Sequence, residues 1–239
     1  ISAEQAREKP IETILSGPAA SIVGARWLTD ESDAIISDIG GTTTDIAVLR
    51  GGKPAIDPKG ASVGPYRTMV EAVAMYTFGL GGDSEVNLKQ GGLDGDILLG
   101  PKRVIPICLA ASSDRGLIHN VLDAQLKSET PNEFDARFIR LVKASKETIL
   151  SDRDDKVLSR IGKQFSSISE VIKSRLDFQS IKKLISLGFV QMAALTPTDA
   201  SHALDNSSFW DKEAASNAID LFARRRSGSG ELLAGSTSE

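Results

Sequence analysis

A single cysteine, Cys108, stands among 239 residues. With no second thiol there is no disulfide within the chain, and its place in the apolar run Ile105-Pro106-Ile107-Cys108-Leu109 marks it as a packing residue rather than a reactive one. A reducing, cytoplasmic setting fits that usage. Long apolar runs are missing as well: no stretch approaches the roughly 18 residues of a membrane span, and no signal peptide precedes the first apolar segment. No membrane partner is expected. Nor is there an excess of positive charge, since 28 Lys and Arg stand against 32 Asp and Glu for a formal charge of −4, with the basic residues scattered rather than striped. Nucleic acid is therefore not an expected partner. An initiator methionine is also absent, and the chain closes on Ser227-Gly228-Ser229-Gly230 and Gly235-Ser236-Thr237-Ser238. The expectation is a piece cut from a longer polypeptide. At this length, about 100 to 200 residues per domain gives one domain with an insertion, or two.

What the sequence does contain is concentrated in residues 38–49, Asp-Ile-Gly-Gly-Thr-Thr-Thr-Asp-Ile-Ala-Val-Leu. Ala34-Ile35-Ile36 reads as a buried strand before it, and Ile46-Ala47-Val48-Leu49 as its antiparallel partner after it. Gly40 and Gly41 carry no Cβ, so their N–H groups can approach an anion closely. Thr42, Thr43 and Thr44 add hydroxyl donors. Asp38 and Asp45 would repel a bare phosphate, which implies a divalent cation or a water between carboxylate and phosphate. The plain alternative is a Gly- and Thr-rich hairpin turn with no ligand.

A second glycine cluster, Gly79-Leu80-Gly81-Gly82-Asp83-Ser84, adds another acid and hydroxyl; by itself it also reads as a flexible hairpin. Upstream, Pro10 to Leu15 reads as extended, with Ser16 placed to cap a helix from Ala19 to Leu28 and Pro18 in its first turn. Pro54 to Asp57 and Ala61 to Val63 read as short strands, and Arg67 to Phe78 as strand or helix. Gly91 to Gly95 punctuates further short strands. Asp114 to Leu126 is an amphipathic helix with Leu117, Ile118, Val121, Leu122 and Leu126 on one face. Phe134 to Val142 is ambiguous between strand and helix. Three short amphipathic runs follow between residues 154 and 187, then a strand at Gly188-Phe189-Val190. That order resembles a winged-helix module, yet its candidate recognition helix offers only Lys182 and Lys183 together, so packing or partner docking is preferred over DNA binding.

Residues 194–205 form the third polar concentration. Thr196 or Thr198 can cap the helix through Ala200 to Leu204, with Asp199 in its first turn, where the helix dipole favours an acid without any catalytic role. His202 is three positions on and could share a face with Asp199, as a metal or acid–base pair or as a structural residue. His119 lies on the polar face of its helix and is less promising. A final helix runs from Lys212 to Arg225.

Taken in order, Ile14-Leu15-Ser16-Gly17-Pro18-Ala19-Ala20, the Asp38 to Leu49 loop, the Gly79 to Ser84 cluster and Leu195-Thr196-Pro197-Thr198-Asp199-Ala200 resemble the hydantoinase A/5-oxoprolinase family. Members look like the actin, chaperone and sugar-kinase superfamily, in which two α/β lobes close on ATP. The resemblance implies an α/β fold: one actin/ribonuclease-H-like ATPase lobe, a mixed sheet with helices, over residues 1–145. It also implies a small helical, winged-helix-like insertion over 146–192 and a return to the lobe over 193–239. It further implies ATP and Mg2+ as cofactors. Asp38 holds the metal through water or orients the attacking group, and Gly40, Gly41 and Thr42 to Thr44 line the phosphates. Asp45 steadies the loop, Gly81, Gly82 and Ser84 border the cleft, and Thr198 and Asp199 match a motif of unassigned role. The implied activity is phosphorylation of a cyclic amide oxygen followed by carbon–nitrogen cleavage, with a second hydantoinase-type subunit as partner. An actin-like ATPase acting as activator, chaperone or carboxylase subunit is the alternative. The first phosphate loop of the superfamily and the Ser-Ala-Gly-Ala run of the family have no counterpart here.

Overall fold

The computed structural model describes residues 2–13, 16–60, 62–63, 66–67, 72–89, 97–143, 150–227, 230 and 232–234. The Gly91 to Gly95 punctuation and the extended reading of Ile14 and Leu15 lie outside these. The chain divides into two compact units, Ile1–Gly81 and Gly82–Glu239. Both mix strands with helices, as an α/β reading requires. No helix among the described residues is long and apolar enough to cross a membrane.

The first unit contains helices α1 (Ala3–Glu8) and α2 (Ser16–Thr29), then strands β1 (Ala34–Ile39), β2 (Thr44–Arg50), β3 (Lys53–Pro54), β4 (Ile56–Asp57), β5 (Ser62–Val63), β6 (Tyr66–Arg67), β7 (Ala72–Val73) and β8 (Met75–Phe78). Pro10–Thr13 forms a 3-10 turn rather than the extended segment expected. Helix α2 includes Ser16 in its first turn, so Ser16 is not the cap its position suggested. The expected hairpin is present: β1 and β2 pair antiparallel from Ala34 opposite Leu49 to Ile39 opposite Thr44. β2 also pairs with β8, Asp45 opposite Thr77 and Ala47 opposite Met75. Side chains alternate faces along a strand, and this register sorts the sheet. One face carries Ala34, Ile36, Ala47, Leu49 and Met75, which pack around Ile22 of α2 as a small core. The other carries Ile35, Ile39, Tyr76 and Phe78, all exposed.

The second unit holds β9 (Ser84–Leu88), β10 (Ile97–Arg103), α3 (Ile107–Ser113), α4 (Arg115–Lys127), β11 (Phe138–Leu141), α5 (Asp152–Leu158), β12 (Ser166–Ser167), α6 (Ile168–Val171), α7 (Asp177–Ser186), β13 (Val190–Ala193), α8 (Pro197–Ala203) and α9 (Lys212–Ala223). The helical face read from the sequence is the one α4 buries, with Ile118 and Leu122 fully inaccessible. They join Ile107, Phe138, Ala214, Ala218 and Leu221 in the larger core. The three short helices α5, α6 and α7 fall where expected and share a second core with Val104 and Ile139. β11 lies between β12 and β13 in a three-stranded sheet. Its central strand therefore comes from upstream of the helices, so β12 and β13 find their sheet partner outside the helical segment, whose core is mostly its own and is completed by Val104, Ile139 and Ala194.

Candidate functional site

The row next to the core in the first sheet is polar. Asp38 stands opposite Asp45, and Asp45 opposite Thr77, one step along the same face from Ile36, Ala47 and Met75. Directly opposed residues on an antiparallel pair have Cβ atoms about 4.5–5.5 Å apart, and two carboxylates there repel each other. Thr77 answers half of that charge, donating its hydroxyl to Asp45 Oδ1 at 2.5 Å. Asp38 has no side-chain hydrogen bond or ion pair among the described residues.

Between the two acids the chain turns through Gly40-Gly41-Thr42-Thr43. The Gly40 N–H donates to the Thr43 carbonyl at 2.9 Å, closing the turn. Thr44 Oγ1 donates to the Leu80 carbonyl at 2.7 Å. That bond ties the turn to the second glycine cluster, and the tie is close. A Cβ on Gly81 would fall 2.5 Å from the Gly40 carbonyl oxygen and 2.6 Å from the Gly41 carbonyl carbon. Only a glycine fits at 81, so the backbone of one glycine loop lies directly against the other. The hydroxyls of Thr42 and Thr43 have no hydrogen-bond partner among the described residues, and Gly40 and Thr42 are exposed. Two opposed acids beside open hydroxyls and a closely packed glycine turn suit a divalent cation bridging to phosphate oxygens. Asp38 is the carboxylate with no partner among the described residues, while Thr44 and Asp45 are occupied in holding the loop.

The other expected site residues have internal duties. Gly82 and Ser84 belong to the second unit. The Gly82 carbonyl accepts from Thr198, from its N–H at 2.9 Å and its hydroxyl at 2.7 Å, and Ser84 is buried in β9 opposite Arg103. Thr196 caps α8 in a reciprocal box with Asp199. The fully buried Asp199 carboxylate accepts from the Thr196 N–H at 2.9 Å, the Thr196 hydroxyl at 2.9 Å and the Cys108 N–H at 2.8 Å. Burial pushes its pKa up, against the opposing pull of the Cys108 and Thr196 donors. Burial, with Asp199 beside it, also drives the Cys108 thiol far above its ordinary range, which leaves it inert. His202 and Asp199 do not form the pair their spacing allowed. The His202 Nδ1 donates to the Thr198 carbonyl at 2.9 Å, and its ring stacks on Trp210 with centroids 5.3 Å apart.

Residues 1–109 match the family described as Hydantoinase/oxoprolinase. The match covers less than half of the 239 residues. It includes both glycine loops, whereas the Thr196 to Ala200 motif lies beyond the hydantoinase/oxoprolinase match. No curated protein matches the chain significantly. A solved structure that is similar is acetone carboxylase in nucleotide-free form, from work on the mechanism of ATP-dependent acetone carboxylation. It is 21% identical with a TM-score of 0.36, over 81% of this chain and 23% of that one. The chain spans 23% of that protein's length.

Beyond residue 109, a charged network that no sequence pattern marks stands at the start of α9. His119 Nε2 lies 3.0 Å from Asp211 Oδ2, and Arg115 reaches Asp211 at 2.8 Å and Glu213 at 3.3 Å. Burial alone would raise the Asp211 pKa, but the Ala214 N–H, His119 and Arg115 hold it below the ordinary carboxylate value. The His119, Asp211 and Glu213 donor atoms lie within 4.8 Å of one another, and Arg115 already supplies a cation between those carboxylates. Asp211 is recognisable as a helix cap from its position before Lys212; nothing local to His119 announces a partner 92 residues away.

Proposed function

We propose that this chain is part of an ATP-dependent cyclic amide hydrolase of the hydantoinase/5-oxoprolinase type. Its first unit is read as the phosphate-binding portion of an actin-like ATPase lobe. The observation that carries this reading is the opposition of Asp38 and Asp45 across a Gly40-Gly41 turn against which Gly81 is packed. The hydantoinase/oxoprolinase match over residues 1–109 supports it.

Asp38 would hold Mg2+, directly or through water, and Gly41, Thr42 and Thr43 would meet the terminal phosphates with N–H and hydroxyl donors. When bound, ATP would supply the phosphoryl group that makes the amide carbon electrophilic enough for water to add and the amine to leave, with ADP and phosphate as the other products. The task of the loop is positioning and charge neutralisation, which dominate phosphoryl transfer. Thr77 keeps Asp45 in place, and the Thr44 bond to the Leu80 carbonyl keeps the turn from opening. The reading includes a second hydantoinase-type subunit and a cytoplasmic setting.

The test uses the full-length protein with its partner subunit. ATP consumption should rise with, and match, the consumption of a hydantoin or of 5-oxoproline, and Asp38→Asn should lower both roughly 10²- to 10³-fold. ATP turnover indifferent to every cyclic amide offered would replace this reading with that of an ATPase acting as activator, chaperone or carboxylase component.

A further inference from the structure

The second unit contains a cavity of about 220 Å³ to which the phosphate loop makes no contribution. Its apolar floor is mainly Leu109, since Pro106 and Phe165 are buried, and its polar groups are Asp83, Arg103, Ser113, Arg140 and Gln191. The charges do not cancel. Arg103 closes on Asp83 through two N–H groups that reach the same carboxylate oxygen, at 3.1 and 2.9 Å. Asp83 is thereby neutralised. Arg140 has no carboxylate partner among the described residues. Its guanidinium lies 4.8 Å from the centre of the Phe165 ring, and one N–H donates to Gln191 Oε1 at 3.3 Å.

A guanidinium over an aromatic ring is attracted to the ring face and keeps N–H groups that can meet a ligand. Arginine stays charged at any physiological pH, and its fork of donors matches the two oxygens of a carboxylate. The volume is below the ~300 Å³ at which pockets for drug-sized ligands begin, so the occupant has few heavy atoms. We infer that this cavity binds a small monocarboxylate, its carboxylate on Arg140 and its short apolar body over Leu109. A phosphate fits less well. It brings more charge than one free guanidinium balances, lies near Asp83, and gains nothing from the apolar floor.

The inference is independent of the nucleotide reading, and its test keeps the two apart. The 239-residue chain is titrated with butanoate by calorimetry, with butanamide and inorganic phosphate as comparison ligands. Butanoate should bind saturably, and butanamide at least tenfold more weakly. Arg140→Gln should weaken butanoate at least tenfold, and Arg140→Lys, which keeps the charge but not the fork, by several-fold with the fold intact by circular dichroism. Asp38→Asn should bind butanoate as the parent does. The inference is overturned by an absence of saturable butanoate binding, by equal binding of butanamide, by phosphate binding as tightly as butanoate, or by full butanoate affinity in folded Arg140→Lys and Arg140→Gln.

Discussion

Two regions of this molecule are built from the same few residue types and use them in opposite ways. The turn from Asp38 to Asp45 and the helix start from Thr196 to Asp199 both combine aspartate with threonine. At Asp199 every donor in reach is directed inward: two from Thr196 and one from the Cys108 backbone converge on a carboxylate with no exposure. At Asp38 the carboxylate and the neighbouring Thr42 and Thr43 hydroxyls are left unengaged within the described structure. Polar groups whose hydrogen bonds are met internally define a fold, and groups held in place with their bonding capacity unspent are free to take a ligand. The lesson concerns motifs generally. Residue type marks both regions as candidates, and only hydrogen-bond bookkeeping separates them.

The sharpest way to break the comparison is to remove each acid. Asp38→Asn should lower ATP turnover of the full-length enzyme roughly 10²- to 10³-fold, the usual scale for losing one electrostatic contact to developing charge. Its unfolding free energy should change by no more than ~0.5 kcal/mol, because the half-buried Asp38 has no partner to lose among the described residues and the Asp38–Asp45 repulsion is relieved. Asp199→Ala should do the reverse. It strands the Cys108 and Thr196 donors in a sealed site, at about 1–3 kcal/mol for each group left unsatisfied, and should shift the urea unfolding midpoint accordingly. Stable, folded Asp199→Ala protein with impaired nucleotide binding would reverse the assignment of the two regions.

A smaller effect should follow from the contact between glycine loops. Gly81→Ala places a methyl group 2.5 Å from the Gly40 carbonyl oxygen, so the turn must shift. Overpacking of this kind costs typically 1–3 kcal/mol, and because it displaces the phosphate turn it should also weaken nucleotide binding about tenfold. Gly24→Ala is the matched control. It lies inside α2 with no atom within 4 Å of the new methyl and should stabilise the helix by about 0.5–1 kcal/mol. Equal behaviour of the two variants in a nucleotide titration would mean that Gly81 does not brace the turn.

Much of this arrangement is legible in the sequence, and the part that is not has a common cause. The β1–β2 hairpin follows from apolar runs flanking a glycine turn, and the Thr196 cap from an acid three residues after a hydroxyl. Both are local patterns. The packing of Gly81 on Gly40, the bond from Cys108 to Asp199 across 91 residues and the meeting of His119 with Asp211 all depend on chain that returns from far away, and no spacing rule encodes them. Competition between local signals misled in two places. Ser16 has the chemistry of a cap, but the helix begins at Ser16 itself. Pro10 begins a 3-10 turn where its fixed φ was equally compatible with an extended segment. The cavity beside Arg140 has no local signature because its walls come from β10, α3, β11 and β13 and from single residues before β9 and β12.

Asp177 extends the comparison to a third acid and predicts the smallest effect. Like Asp199 it is saturated: the Lys173 and Ser174 N–H groups, the Ser174 hydroxyl and Arg160 all reach it, the last at 2.8 Å, with Arg153 at 3.6 Å. The Lys173 N–H foremost, then Arg160, lower its pKa from the ordinary 3.8 to about 2. A carboxylate whose folded pKa lies below its unfolded value stabilises the fold above the unfolded pKa and loses that contribution as pH falls through the folded one. Thermal stability should therefore decline between pH 4 and pH 2 with a component that Asp177→Asn removes. Asp154, held below its ordinary pKa by Lys183, contributes to the same limb, so the decline should be reduced in Asp177→Asn rather than abolished. Identical melting curves for the parent and Asp177→Asn across that window would show that the hydrogen bonds around Asp177 do not favour its charged form.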